Sequence, residues 1–159
     1  MKEKVLFFEV MTQEEALEIA YNWKYEGAMS FYNMTSDQED LENFLDADAR
    51  GQNTFSVRTK REKEMIAYFH YYLMDNSTAE IVLAINPNCL HKGYGSEIVE
   101  YVEEALSKRK GVNKLTVAVA QFNKTCITFY EGHGFISVGE FNNYTNGDIY
   151  TFLKMEKDI

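Results

Sequence analysis

Two glycines stand at the start of a predicted helix in the stretch NPNCLHKGYGSEIVEYVEEAL. Gly93 and Gly95 flank one tyrosine, and the following residues place Ile98, Val102 and Leu106 at helical spacing. The first turn of a helix has backbone N–H groups without intrahelical partners, and the helix dipole is positive there. Because glycine has no side chain, an anionic ligand can approach this backbone closely. The stretch therefore predicts a turn that binds a phosphate group.

Two common nucleotide-binding motifs are excluded at this turn. A dinucleotide-binding turn has the pattern G-x-G-x-x-G, and no third glycine follows Gly95 at that spacing. A P-loop has the pattern G-x-x-x-x-G-K-[ST], which this chain lacks. A tight turn without any ligand is one alternative that the residues leave open. A nucleotide site that uses the Gly93 turn to bind ATP is another.

A second segment, NKTCITFYEGHGF, has Asn123 at a predicted helix start, followed by Tyr130 and the pair Gly134–Phe135. In this order, the two segments resemble the acetyl-CoA loop and the following motif of the GNAT superfamily of N-acetyltransferases. The loop pattern of that family is [QR]-x-x-G-x-[GA] after a strand. Leu90 departs from it, because it stands at the Gln/Arg position. The loop amides are unaffected by this change, and Lys92 can contact phosphate through its charge.

The resemblance implies that acetyl-CoA is the cosubstrate and assigns its contacts to the turn, to the strand before it and to the start of the later helix. The predicted acetyl-CoA-binding residues are Leu83, Ala84, Ile85, Leu90, His91, Lys92, Gly93, Tyr94, Gly95, Ser96 and Asn123. The amides of the turn would bind the pyrophosphate, and the strand backbone would pair with the pantetheine arm. Asn123 also fits a helix N-cap, which is the commonest role of asparagine at a helix start.

Acetyl transfer to an amine needs a proton acceptor for the amine and a proton donor for the leaving thiolate. An amine with a pKa of about 10.4 is almost fully protonated at pH 7, so it must lose a proton before it attacks. The resemblance implies that Tyr130 is the general acid and that an amide near Ile85 polarises the acetyl carbonyl. Glu80 is the predicted base, with a water chain as the alternative. Without the resemblance, Tyr130 also fits a core tyrosine and Glu80 a solvated carboxylate.

The acceptor is predicted to bind beside the aromatic-rich segment YEGAMSFYNMT, since loops on a rigid scaffold often carry binding residues. Glu26 could attract a cationic amine and Tyr32 could wall the pocket; exposure to water and packing in the core are the alternatives. A protein N-terminus or lysine, a polyamine, an aminoglycoside-like compound and an amino acid each fit. A CoA-binding sensor or interaction module without catalysis is the alternative function. It is motivated by Leu90 at the Gln/Arg position and by the two choices, Glu80 and a water chain, that stay open for the base.

The elements that position these residues are predicted as a strand, two helices, three strands, a helix, a strand, a helix and two strands. Thr12 with Glu15, and Ser36 with Glu39, have the spacing of capping boxes at the first two helices. The pair Asn146–Gly147 predicts a tight turn between the last two strands. This order predicts a mixed α/β fold, with a mostly antiparallel sheet and helices on both faces.

Length and composition narrow the class of protein. A chain of 159 residues, 45% of them hydrophobic, predicts one domain over residues 1–159. The net charge of -9 disfavours nucleic-acid binding and favours a cationic acceptor. Two cysteines without metal-site spacing predict that no metal is bound. With no signal peptide or membrane span in the sequence, they predict reduced thiols in the cytoplasm and no membrane association. The edge of the last hairpin could pair with a second copy, so a homodimer stays open.

Overall fold

The computed structural model describes residues 6–60 and 64–159. The segment KVLFFEV predicts the first strand, and a charged turn is predicted between NTFSVRTK and EMIAYFHYYLM. Lys4 and Val5 of that strand and residues 61–63 of that predicted turn lie outside the described residues. The helices are α1 (Gln13–Asn22), α2 (Gln38–Leu45), α3 (Ala47–Arg50), α4 (Tyr94–Lys110) and α5 (Lys124–Gly132). The strands are β1 (Leu6–Val10), β2 (Thr54–Thr59), β3 (Met65–Leu73), β4 (Thr78–Ile85), β5 (Lys114–Ala120), β6 (Ile136–Thr145) and β7 (Asp148–Asp158). The predicted element order is confirmed, with α3 and short 3₁₀ turns in addition.

The strands form a seven-stranded sheet in the order β1-β2-β3-β4-β5-β7-β6. The pairing of β4 with β5 is parallel, whereas β1 with β2, β2 with β3, β5 with β7 and β6 with β7 are antiparallel. The predicted mixed α/β fold with a mostly antiparallel sheet is therefore confirmed. The parallel register joins Thr78–Glu80 to Lys114–Thr116. Beyond that register, β4 continues to Ile85 and β5 to Ala120.

The chain divides into two compact units, of which the first covers Met1–His70 and Leu83–Glu97. The single domain predicted over 1–159 stays a prediction. In this unit α1 packs on β3, because the apolar side chains of α1 recur at helical spacing. The buried cluster consists of Met11, Ala16, Ile19, Trp23 and Met65, with Phe44, Leu45 and Tyr68 packed against it.

The second unit covers Tyr71–Val82 and Ile98–Ile159. Ile98, Val102 and Leu106 of α4 are buried, as their spacing predicts. Asn146 and Gly147 have φ of 53° and 80° at the turn between β6 and β7. A two-residue hairpin turn of type I′ requires positive φ at both positions, which explains why the asparagine-glycine pair predicts it correctly.

The predicted capping box of α1 is confirmed. The Glu15 N–H donates to Thr12 Oγ1 at 3.1 Å, and the Thr12 N–H donates to Glu15 Oε1 at 3.0 Å. Glu15 also accepts from Ser56 Oγ at 3.1 Å and from the Arg58 guanidinium at 2.7 Å. Burial on its own raises the pKa of Glu15, but the hydrogen bonds from Thr12, Arg58 and Ser56 outweigh it and lower the pKa below its ordinary value.

Glu15→Gln is expected to make the free energy of unfolding depend less on pH in the acid range. Because the pKa of Glu15 is lower in the folded chain, its carboxylate stabilises the fold above the unfolded-state pKa. That contribution is lost as the pH falls through the folded-state pKa. The variant should be about 1–2 kcal/mol less stable at neutral pH and converge on the wild type in acid. Urea unfolding from pH 7 to about pH 3 measures both curves; a constant gap between them would contradict the account.

The start of α2 differs from the prediction. Its N-cap is Asp37, whose carboxylate accepts from the Asp40 N–H at 3.0 Å. Ser36 instead ends a 3₁₀ turn, and its hydroxyl donates to the Ser30 carbonyl at 2.8 Å. The predicted capping box of Ser36 with Glu39 is therefore wrong. A carboxylate at a helix N-terminus also gains from the dipole, which favours the cap one residue later.

Asp37→Ala is expected to lower the free energy of unfolding by about 1 kcal/mol, because it removes the partner of an exposed helical N–H. Ser36→Ala is the matched control, and it should cost less than about 0.5 kcal/mol since its hydroxyl bond is exposed. Urea unfolding of both variants gives the comparison. The reverse ranking would place the cap at Ser36.

Candidate active site

The glycine turn lies in the first unit, at the N-terminus of α4. His91 and Gly93 have φ of 64° and 82°, and α4 begins at Tyr94. Left-handed residues occur in backbone turns whose successive N–H groups form concave anion sites. Within residues 6–60 and 64–159, the amides of His91 to Gly95 find no hydrogen-bond acceptor. The backbone of this turn is thus available to an anionic ligand.

The residues of the turn are exposed or half-buried. Leu90 is 40% exposed, and His91 and Lys92 are exposed. Tyr94, Gly95 and Ser96 are half-buried. The leucine at the family's Gln/Arg position is therefore not a core residue. The groups that this turn offers an anion are its backbone N–H groups and the Lys92 ammonium.

Asn86 fixes the start of the turn, although the sequence analysis did not identify it. It is 3% exposed, and its N–H donates to the Ile66 carbonyl at 2.8 Å. Its Nδ2 donates to the Met65 carbonyl at 3.0 Å and to Glu64 Oε1 at 3.2 Å. Its Oδ1 accepts from the Asn88 N–H at 3.0 Å. The asparagine-proline pair at this position is a turn signal that could have revealed it.

The predicted pantetheine-binding residues Leu83, Ala84 and Ile85 are half-buried at the end of β4. The Ile85 carbonyl accepts from Tyr25 Oη at 2.5 Å. Burial, and to a smaller extent Tyr68, raises the pKa of Tyr25 well above its usual range, so its phenol stays protonated at neutral pH. Sequence reasoning missed Tyr25, because a tyrosine in an aromatic-rich segment has no spacing that marks a partner sixty residues later in the chain.

The acceptor loop, defined here as Glu26–Tyr32, follows Tyr25 directly. Glu26 is exposed, and Tyr32, at 38% exposure, ends a 3₁₀ turn. The loop is closed at its base by Asn33, whose Oδ1 accepts from the Tyr25 N–H at 2.7 Å. Asn33 Nδ2 donates in turn to the Tyr25 carbonyl at 3.4 Å. Both predicted acceptor residues are thus presented on one short loop of the first unit.

The second unit carries the remaining predicted site residues. Glu80 is half-buried on β4 and lies opposite Thr116 of β5. Asn123 is 8% exposed, and its Oδ1 accepts from the Cys126 N–H at 3.1 Å. The expectation that Asn123 caps α5 is therefore confirmed. The cap uses its side-chain carbonyl oxygen.

Tyr130 lies on α5 and is 6% exposed. Its ring centroid lies 5.1 Å from those of Phe129 and Phe135, and its carbonyl accepts from the Phe135 N–H at 3.0 Å. This is the packing of a core tyrosine, and it also holds the ring in one orientation. A proton donor must also be held in a fixed orientation. The packing therefore agrees with both roles predicted for Tyr130, a core residue and a general acid.

Metal binding and membrane insertion receive no support from the described part of the chain. Across residues 6–60 and 64–159, no three His, Cys, Asp or Glu side chains are grouped so that they could hold a metal ion. None of the described helices combines the length and the apolar character needed to cross a membrane.

The family model described as "Acetyltransferase (GNAT) family" matches residues 17–135, which is most of the chain. The chain therefore belongs to the GNAT family of acetyltransferases. The prediction of an N-acetyltransferase is confirmed at the level of the family. No curated protein sequence matches the chain.

Solved structures of the same fold cover nearly the whole chain. An acetyltransferase (GNAT family) from Bacillus anthracis has a TM-score of 0.76 at 16% identity, over 99% of this chain and 96% of that one. Spermidine N-acetyltransferase from Vibrio cholerae, in complex with CoA and spermine, has a TM-score of 0.66 at 17% identity, over 98% and 96%. The ribosomal-protein-S18-alanine N-acetyltransferase from Escherichia coli has a TM-score of 0.69 at 19% identity, over 97% and 94%. These likenesses show the fold.

Proposed function

We propose that the chain transfers acetyl from acetyl-CoA to a primary amine by direct attack of the amine. The observation that carries this proposal is the run of amides from His91 to Gly95 without acceptors, with positive φ at His91 and Gly93. A helix start of this kind suits a pyrophosphate, and Lys92 adds a positive charge. The use of acetyl-CoA by the GNAT family, and CoA in one similar structure, support this choice of ligand.

The backbone at the end of β4 is proposed to bind the pantetheine arm. The register with β5 runs over Thr78–Glu80, and Leu83–Ile85 follow beyond it on the same strand. Peptide groups there can pair with the amides of the arm as a neighbouring strand would. Asn123, which caps α5 through its side-chain oxygen, is proposed to contact the arm as the family resemblance implies.

Acetyl-CoA supplies a thioester, whose thiolate is the leaving group. The amine nitrogen forms a bond to the acetyl carbon, and the bond from that carbon to sulfur breaks. Glu80, or a water chain, takes the proton that the amine loses, and Tyr130 Oη gives a proton to the departing sulfur. Because the Asn86 N–H already donates to Ile66, the amide that polarises the acetyl carbonyl would be that of Ile85 or a residue before it.

The acceptor is proposed to be a cationic amine of small size, such as a polyamine. Glu26 on the acceptor loop is exposed, and the chain as a whole carries a net charge of -9. Such a surface raises the local concentration of a cation. Several of the similar structures are of one spermidine N-acetyltransferase, which supports this class without assigning a particular amine. Tyr32 would form part of the wall against the carbon chain.

Thiol release from acetyl-CoA with a panel of amines tests the proposal. The panel contains spermidine, an aminoglycoside, a lysine peptide and a peptide with a free N-terminal alanine. We expect thiol release with at least one amine, equal in amount to the N-acetyl product found by mass spectrometry. Binding of acetyl-CoA without thiol release in any case would favour the alternative, a CoA-binding sensor. Binding of ATP in place of acetyl-CoA would favour a nucleotide site.

The remaining partner predictions concern assembly and location. A homodimer would use β6, the edge strand of the sheet, where Ile136, Phe141 and Tyr144 are exposed. The mass of the particle in light scattering decides between monomer and dimer. Neither Cys89 nor Cys126 forms a disulfide within the described residues, and a cytoplasmic location stays a prediction.

A further inference from the structure

The peptide group that joins Ile85 to Asn86 is held at both ends. Its carbonyl accepts from Tyr25 Oη at 2.5 Å, and its N–H donates to the Ile66 carbonyl of β3 at 2.8 Å. The carbonyl and N–H of a trans peptide point in opposite directions, so the two bonds hold opposite sides of one plane. This plane cannot rotate unless a hydrogen bond breaks. The last peptide of β4 therefore has a fixed orientation.

Tyr25 also holds the acceptor loop. Its N–H and carbonyl are both bonded to the side chain of Asn33, at 2.7 and 3.4 Å. Lys24 Nζ, one residue earlier, donates to Thr35 Oγ1 at 2.8 Å and closes the same base. The backbone of Tyr25 thus belongs to the base of the loop, whereas its hydroxyl reaches the end of β4.

We propose that Tyr25 is a positioning residue for acetyl transfer, whose hydroxyl bond to Ile85 fixes the acceptor loop against the end of β4. This inference rests on the proposed function, in which the loop presents the amine and β4 holds the thioester arm. Reacting atoms must approach to about 3–3.5 Å, and a misplacement of about 1 Å can cost about 100-fold in rate. The hydrogen bond from Tyr25 to Ile85 joins the acceptor loop directly to the end of β4, so it can set the distance between the amine and the thioester.

The chemistry of the phenol suits this role. Burial keeps Tyr25 protonated, so it is a donor throughout the pH range in which an amine acetyltransferase works. Phenylalanine at this position would fill the same volume, but it would leave the Ile85 carbonyl without this donor. Tyr25→Phe therefore removes the bond and retains the packing of the ring.

Kinetics of Tyr25→Phe test the proposal. We expect kcat/KM for the amine to fall about tenfold or more, while the Kd for acetyl-CoA from calorimetry changes less than about threefold. The rate of acetyl-CoA hydrolysis without amine should fall less than the rate of amine transfer, because water needs no acceptor loop. A merely structural role would lower the Tm and leave the ratio of amine transfer to hydrolysis unchanged. Tyr101→Phe, half-buried on α4 and outside the proposed site, is the matched control and should keep that ratio.

Asn33→Ala provides an independent variant if Tyr25→Phe does not fold. It frees the base of the loop while the Tyr25 hydroxyl stays in place, and it should raise KM for the amine with little change in the Kd for acetyl-CoA. If the folded Tyr25→Phe and Asn33→Ala variants keep the wild-type kcat/KM for the amine, Tyr25 is not a positioning residue. A wild-type protein that binds acetyl-CoA but acetylates no amine would overturn both the proposed function and this inference. An active wild type with unaffected variants would overturn the inference alone, so the activity of the wild type distinguishes the two failures.

Discussion

Tyr130→Phe is expected to reduce kcat by about 100- to 1,000-fold, because it removes the proposed proton donor to the leaving sulfur. The variant retains the ring that packs against Phe129 and Phe135 at 5.1 Å. Acetyl-CoA should therefore bind with nearly the wild-type Kd. Steady-state kinetics with the best amine of the panel, together with calorimetry, measure the two quantities separately.

Tyr71→Phe is the matched control for this experiment. Tyr71 is 7% exposed and Tyr130 is 6% exposed, and both lie in the second unit. Loss of a buried hydroxyl alone should thus cost the two variants similar stability. If Tyr130→Phe keeps the wild-type kcat, Tyr130 is a core tyrosine and the proton reaches the sulfur from another group.

Gly93→Val is expected to weaken acetyl-CoA binding by about 100-fold. Gly93 has φ of 82°, a conformation that a β-branched residue adopts only with strain. Apart from the glycine and its two chain neighbours, no atom of the described residues lies within 4 Å of the position that a Cβ would occupy, so the Cβ itself meets no packed neighbour. The loss of affinity would come from reoriented amides and from a side chain placed where the pyrophosphate approaches.

Gly111→Val separates this effect from backbone strain. Gly111 has φ of 66°, and likewise no atom lies within 4 Å of its added Cβ. Both variants should lose about 1–2 kcal/mol of stability from the unfavourable φ. Only Gly93→Val should lose affinity for acetyl-CoA by calorimetry. Equal affinities of the two variants would place the pyrophosphate elsewhere.

The sequence predicted those elements whose signals are local. The capping box of Thr12 with Glu15, the N-cap Asn123 and the turn Asn146–Gly147 each depend on residues within a few positions of one another. The cap of α2 was predicted one residue too early, because Ser36 and Asp37 are both good capping residues. The Ser36 hydroxyl instead donates to the Ser30 carbonyl, and the sequence spacing used for helix caps does not predict that contact.

Within the candidate site, the sequence predicted the glycine turn, and it missed the contacts that Tyr25 and Asn86 make with residues far along the chain. A glycine turn before a helix can be recognised from sequence, because glycine tolerates the positive φ that the turn requires. The bond from Tyr25 to Ile85 and the contacts of Asn86 with β3 join residues far apart in the chain. Such contacts depend on tertiary packing, which local patterns do not contain.

Calorimetric titration of the purified protein with acetyl-CoA, with ATP as the control ligand, tests the central claim most directly. The account predicts saturable binding of acetyl-CoA at one site per chain and no binding of ATP, since the amides of His91 to Gly95 would bind the pyrophosphate while the end of β4 selects the pantetheine arm. The absence of acetyl-CoA binding would contradict the account. It would mean that the chain retains the GNAT fold but that Leu90 marks a cosubstrate site that has been lost.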